Sequence, residues 1–387
     1  MFDTELLFRE NTETSNVRWN IKNGRVIIPF KRQRIDGKAI RQLLKIVNTV
    51  EKKFAGSKIP LTIDMGDVVF ADKLTLVIFE CICFYIITIC KRTVYLQYLI
   101  SQNDIWTEGV RSAPFLLLGT HNKEHTDKFI KKFKFEAFGN HFRKIIGPSE
   151  DKMELSKLMT EIELFLRLFS VGEDCRDKIS EVIVELVGNA GEHAKTESLL
   201  DVDVTFPYTN SRTGEDVYGI NIVILNFSHR LFGTALKEKL HSDHTPEMRN
   251  NLRYHTVLNA YENHAKQFND WYGEEDFYNI ASFQHKISGR EDALLYGGTG
   301  LTKLIESLEK MSDAHHCYML TGCRVINFIS EHLLYGNDEW ISFNGSKDFF
   351  DNIPDKSVIS GCPVYFPGTA YNLNFVMKKE TENGSKN

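Results

Sequence analysis

"ELVGNAGEHA", Glu185–Ala194, continues a run, "CRDKISEVIV" (Cys175–Val184), whose apolar residues recur at helical spacing. Two glycines, Gly188 and Gly191, sit inside it, and each costs roughly 1 kcal/mol relative to Ala in a helix interior. Glu185, Asn189, Glu192 and His193 surround them, all able to bond or titrate. Positions i, i+4 and i+8 stack along one helix face. Glu185, Asn189 and His193 have that spacing, so a carboxylate, an amide and an imidazole are expected in a row. Ile183, Val184, Leu186 and Val187 anchor the helix in a core. The glycines let another backbone, or a ligand, come close.

Two further stretches extend the pattern. "LYGGTGLTKLIESLEKM" (Leu295–Met311) places Gly297, Gly298, Thr299, Gly300 and Leu301 at the start of an amphipathic helix. Backbone N–H groups of a glycine-rich loop at a helix N-terminus favour phosphate. No GK[ST] follows, so this is not a Walker A loop. "YFPGTAYNLNFVM" (Tyr365–Met377) reads as a strand entered through Gly368 and Thr369. Before both, "YGINIVILNFSHRLFG" (Tyr218–Gly233) is an apolar strand ending in Asn226 and Ser228.

In this order the stretches resemble the boxes of the GHKL, or Bergerat-fold, ATP-binding superfamily. The E-x-x-x-N-A-x-x-H spacing of Glu185, Asn189, Ala190 and His193 is nearest to the anti-sigma-factor serine kinases. The resemblance implies an α/β sandwich over 147–378 that binds ATP and Mg2+. Asn189 would hold magnesium, and an amide oxygen is a hard ligand suited to it. Glu185 would be the general base on a water or a serine hydroxyl. His193, Asn226, Ser228, Gly297, Gly298, Thr299, Gly300, Leu301, Gly368 and Thr369 would line the nucleotide. Arg290, just before the second glycine box, is placed to reach a phosphate. Residues 229–295 correspond to an ATP lid, with a long helix expected over Thr245–Phe268, Thr245 as N-cap and Pro246 following it. One departure stands out: Asn226 and Ser228 occupy an Asp and a Gly position of the family. An Asn carbonyl can still accept from an adenine amino group, and its amide could instead donate to a guanine carbonyl.

Residues 1–146 alternate strands and helices, an α/β pattern overall of the α+β type. "LTIDMGDVVFADKLTLVIFECICF" (Leu61–Phe84) resembles the STAS domain of anti-sigma-factor antagonists. There a phosphorylatable Ser often begins the helix; here Lys73 stands in its place, which implies that the phospho-switch is absent. The apolar run Leu74–Cys90 is shorter than the ~20 residues of a spanning helix and carries Glu80 near its middle. A helix buried against a sheet is expected, and no membrane association.

Composition is that of an ordinary globular chain: 42% hydrophobic, 26% charged, net charge −5. No overall basic footprint points to nucleic acid. The basic stretch "KFIKKFKF" (Lys128–Phe135) is a local exception. Seven cysteines without a CxxC pair, and an acidic N-terminus lacking an apolar core, point to a reducing, cytoplasmic setting. The histidines at 241, 244, 255, 264 and 285 match no zinc spacing, and the pair His315-His316 reads as incidental. The tail 379–387 is expected to be disordered.

Together these features predict a GHKL ATP-dependent switch with ATP hydrolysis or Ser/Thr phosphotransfer. A protein partner would be engaged through the STAS-like part or the lid, and dimerisation is a habit of the family. The alternative is a non-catalytic nucleotide-sensing module acting by partner switching.

Overall fold

The structure is a computed structural model. It describes residues 2–16, 19–31, 34–100, 112–148, 152–209, 214–241, 252–284, 287, 304, 317–333, 335 and 340–378. The chain begins with a short helix, α1 (Glu5–Glu10), and a hairpin of β1 (Asn20–Lys22) and β2 (Arg25–Pro29). Next come α2 (Gly37–Lys53), β3 (Leu61–Val68), α3 (Lys73–Thr88) and β4 (Val94–Ile100). Strands β2, β3 and β4 are parallel, in the order β1-β2-β3-β4. An aspartate caps each main helix: Asp36 Oδ1 accepts from Ala39 N at 3.0 Å, and Asp72 Oδ1 from Thr75 N at 2.7 Å. Helix α4 (Lys123–Lys134) adds Phe129 and Phe133 to the same core.

The strands that follow are β5 (Phe135–Phe138), β6 (His141–Ile146), β7 (Ser198–Val204), β8 (Tyr208–Thr209), β9 (Asp216–Phe227), β10 (Tyr318–Asn327) and β11 (Ile359–Lys378). They form an antiparallel sheet in the order β10-β11-β9-β7-β6-β5, with β8 pairing with β9. The boundary expected near Gly147 does not fall between the two sheets, because β5 and β6 belong to the larger one. Their register explains this: His141 lies opposite Asp203 and Arg143 opposite Asp201, cross-strand pairs of opposite charge. The helices between and beyond these strands are α5 (Lys152–Arg167), α6 (Glu173–Asn189), α7 (Thr234–His241), α8 (Leu252–Ala265) and α9 (Glu274–Ala281). The architecture is mixed α/β.

Strand alternation divides the larger sheet into two buried faces. Ile220, Ile222 and Ile224 share a core with Val182, Ile183 and Leu186 of α6. Val223, Leu225 and Phe227 share the other core with α2, α3 and the smaller sheet. Helix α3 therefore lies between two sheets, which is why it is apolar on all sides. Among the described residues no helix is long and apolar enough to cross a membrane.

Charged side chains join the two halves within this apolar layer. Lys73 Nζ lies 2.7 Å from Asp201 Oδ1 and also pairs with Asp203. Glu80, fully buried on α3, accepts from Phe115 N at 2.9 Å and pairs with Arg143, which also reaches Asp201. His141 bridges Asp201 at 3.0 Å and Glu136 at 3.3 Å. Burial alone would push the Lys73 ammonium down, but the two aspartates outweigh it and hold it charged. Burial would likewise raise Asp201, yet Arg143, Lys73 and His141 keep its carboxyl well below the usual range. Asn372 Oδ1 accepts from Leu74 N at 3.0 Å, and Tyr318 Oη donates to Asp72 Oδ2 at 2.9 Å. Thus β7, β10 and β11 all hold the first turn of α3.

Removing one partner of a buried pair strands the other charge. Lys73→Met should lower the unfolding free energy by about 3–5 kcal/mol in urea titrations, and adding Asp203→Asn should restore part of the loss. A pH effect follows as well. Burial would lower the His141 pKa, but Asp201 and Glu136 raise it above its ordinary value. Its stabilising contribution is complete below the unfolded pKa and is lost as pH rises through the folded one. His121 and His264 shift the other way, mainly by burial, so they act below about pH 6.5. As pH rises above about 6.5 the urea midpoint should fall, and His141→Asn should flatten that slope.

Candidate functional site

Helix α6 buries Ile179, Val182, Ile183, Leu186 and Val187 and leaves Glu185 and Asn189 half-buried, one turn apart. The α-helix ends at Asn189. Ala190–Ala194 form a π turn, and the chain leaves it through Lys195 in the left-handed region at φ 51°. π turns concentrate at functional sites. His193 lies within this π turn, beyond the α-helix that carries Glu185 and Asn189. Gly188 is buried, and a Cβ there would meet Leu155 Cδ1 of α5 at 3.4 Å.

The chain from the π turn arrives at Thr196 and then β7. Ser198, the first residue of β7, lies opposite Asn226 of β9. Asn226 lies opposite Thr369 of β11, and Thr369 opposite Thr321 of β10. By strand alternation all four share the face that carries Ile220, Ile222 and Ile224. A polar row thus crosses four strands at the sheet end where α6 finishes. The next row inward is Leu200, Ile224, Tyr371 and Met319, all buried. Asn226 Nδ2 donates to Thr196 Oγ1 at 3.1 Å. The Ser198 hydroxyl is buried with no hydrogen-bond partner. Thr321 Oγ1 donates to Gly368 O at 2.7 Å and accepts from Phe232 N at 3.1 Å.

Gly368 fastens β11 to β9. Its φ is +110°, outside the range of ordinary L-residues, and a Cβ would overlap the Asn226 carbonyl oxygen and lie 2.9 Å from Ser228 N. Ser228 N donates to Pro367 O at 3.1 Å, and Ser228 Oγ accepts from Arg230 N at 2.9 Å. The Ser228 hydroxyl therefore holds the turn after β9. In sum, Asn226, Thr369, Gly368 and Ser228 adjoin one another, and α6 brings Glu185 and Asn189 to the same end of the sheet. Arg290, Gly297, Gly298, Thr299, Gly300 and Leu301 lie outside the described residues, as do Thr245, Pro246 and the pair 315–316. Nothing is described of the His193 side chain.

The segment expected as a lid is firmly packed where it is described. Tyr272, Phe277 and His264 are buried, and Phe277 stacks on Phe349 at 6.1 Å. His264 sits between Tyr272 Oη (2.5 Å) and Phe349 O (2.8 Å), a core histidine whose ring nitrogens both have partners. His241 Nε2 pairs with Tyr278 Oη at 2.7 Å. Thr196, Ser198 and Thr321 are the site residues that the sequence did not single out. Their hydroxyls, one before β7, one at its start and one within β10, carry no shared local signal and become legible only once the strands are in register.

No protein-family model, curated protein or solved structure matches this chain.

Gly368→Ala adds both left-handed strain and a clash with the Asn226 carbonyl. A loss of about 3 kcal/mol or more of unfolding free energy is expected. Thermal unfolding measures it, and a neutral effect would remove the close approach of β11 to β9.

Proposed function

We propose that the chain is a GHKL-type regulatory protein that binds Mg-ATP at the α6 end of the larger sheet. The observation that carries this reading is the polar row of Ser198, Asn226, Thr369 and Thr321. It breaks an otherwise apolar, buried face and includes an orphaned hydroxyl, Ser198. Buried polar groups are ordinarily bonded, so this row fits the recognition edge of a planar, hydrogen-bonding ligand. With one of its two Nδ2 N–H groups given to Thr196, Asn226 keeps Oδ1 as an acceptor for an adenine amino group.

Asn189 and Glu185 supply oxygen donors one turn apart on α6, a set that suits a hard divalent cation. Magnesium, when bound, would neutralise phosphate charge. Asn189 would ligate it, and Glu185 would orient a hydroxyl or water and accept its proton. The neutral Asn226 in place of an acid favours a second reading, nucleotide sensing without turnover. Under either reading the N-terminal part acts from the opposite face of the sheet, where Lys73 holds it.

Titration calorimetry with ATP and magnesium tests the proposal. Asn189→Ala should weaken magnesium-dependent binding by at least about tenfold, roughly 1.4 kcal/mol. Glu185→Ala should keep binding and lose any turnover, and ATP should outcompete GTP. Unchanged binding in Asn189→Ala would sink the assignment of the site. Equal, absent turnover in wild type and Glu185→Ala would leave only the sensing reading.

A further inference from the structure

The larger sheet carries two cysteines on adjacent strands at its β10 edge. Arg324 of β10 lies opposite Gly361 of β11, Val325 opposite Ser360 and Ile326 opposite Ile359. One step further in that register sets Cys323 opposite Cys362. There the pairing breaks and resumes with Gly322 opposite Phe366, so four residues of β11, Cys362–Tyr365, stand against Cys323 alone. Alternation puts both cysteines on one face. Val325, two residues from Cys323, and Cys362 itself pack against the core shared with α2 and the smaller sheet. Helix α2 agrees with that placement. A Cβ on Gly37, in its first turn, would lie 3.8 Å from Cys362 Sγ, and Arg41, one turn on, is close enough to act on the Cys323 thiol.

Residues directly opposite in an antiparallel pair have Cα atoms about 4.5 or 5.5 Å apart. Both values fall within the roughly 4.4–6.8 Å that a disulfide spans. Access is unequal: Cys323 is exposed and Cys362 partly covered. That asymmetry suits one thiol that meets an oxidant and a second that resolves the product. Neither thiol is acidic at rest. Burial pushes Cys362 up to about 11, and burial with Glu275 raises Cys323 against the pull of Arg324 and Arg41. The thiolate is the nucleophile, so the pair rests reduced and responds to sustained oxidant. Cys81, Cys83 and Cys317 are buried and serve as internal controls.

The geometry points to Cys323 and Cys362 as a reversible oxidation site, closed into a cross-strand disulfide by a low-molecular-weight disulfide. The Cys323 thiolate attacks one sulfur of the oxidant, forming a mixed disulfide and releasing one thiol. The Cys362 thiolate then attacks the Cys323 sulfur and expels the second thiol. The two cysteine protons end on the two released thiols, so one oxidant disulfide is reduced as one protein disulfide forms. The bond ties edge strand β10 to the bulge of β11. Asn11, just past α1, already holds that bulge: its Nδ2 donates to Tyr365 O at 2.8 Å and its Oδ1 accepts from Tyr365 N at 3.1 Å. Thr321 of the polar row is two residues from Cys323. Oxidation therefore fastens the strand that carries Thr321 to the part of β11 that the N-terminal segment grips. The site does not depend on the nucleotide reading.

The test incubates the native full chain with oxidised glutathione, caps the remaining thiols, and maps the digest by mass spectrometry. Wild type should lose two of its seven thiols and yield one linked peptide joining Cys323 to Cys362, fully reversed by dithiothreitol. Cys362→Ser should instead hold one glutathione on Cys323, because no second thiol resolves it. Cys323→Ser should form no internal link. Four results would each overturn the inference: no thiol loss in the native wild type, a glutathione adduct that persists on its Cys323, a link from Cys323 to any other cysteine, or a Cys323–Cys362 link that forms only after unfolding in urea. The wild-type results decide the matter even where a variant fails to fold. ATP binding measured on the reduced chain tests the nucleotide site separately, since either can fail alone.

Discussion

Lys73, held between Asp201 and Asp203 beneath the first turn of α3, is the interaction on which the rest of the structure depends. Taking an ammonium out of water costs several kcal/mol, which only close opposite charges and good hydrogen bonds offset. Both aspartates come from β7, so α3 can be buried only where β7 runs. Arg143 and His141 extend the network to β6, and Glu80 returns it to α3. Asn372 and Tyr318 bind the same helix end from β11 and β10. The docking of the two halves is therefore specified by charge and hydrogen bonds. The apolar contact around them supplies driving force but little direction.

This arrangement gives the central strand two tasks. On β9, Val223, Leu225 and Phe227 seal the sheet against the N-terminal part, while Ile220, Ile222 and Ile224 seat α6. Asn226 continues the second series and brings a polar group to its end. Period-two alternation thus separates anchoring from chemistry within one strand. The N-terminal part lies on the anchoring face. Any influence it has on the Asn226 end passes through the sheet or around its edge.

Much of the fold was legible because periodicity survives in a single sequence. The apolar spacing before Glu185 marks α6, and the near-continuous apolar run in Tyr218–Phe227 marks β9. The apolar run after Lys73 reads correctly as a buried helix. Other features leave no local trace. The π turn at Ala190–Ala194 changes helical register without altering composition. The partner of Gly188 is Leu155, more than thirty positions away. Strands β5 and β6 follow α4 without a break, and only their pairing with β7 assigns them to the larger sheet.

By itself the sequence determined which segments are helices or strands and which side chains are available for chemistry. Spacing and local capping are properties of neighbouring residues. It also placed Asn226 at the end of an apolar strand, whereas Gly368 and Thr369 lie in the middle of β11. Only the tertiary structure decided that these residues stand side by side with Ser198 and Thr321, and that Lys73 is buried rather than solvated. Strand register and burial bring together groups tens to hundreds of positions apart, and no local pattern encodes which of them will meet.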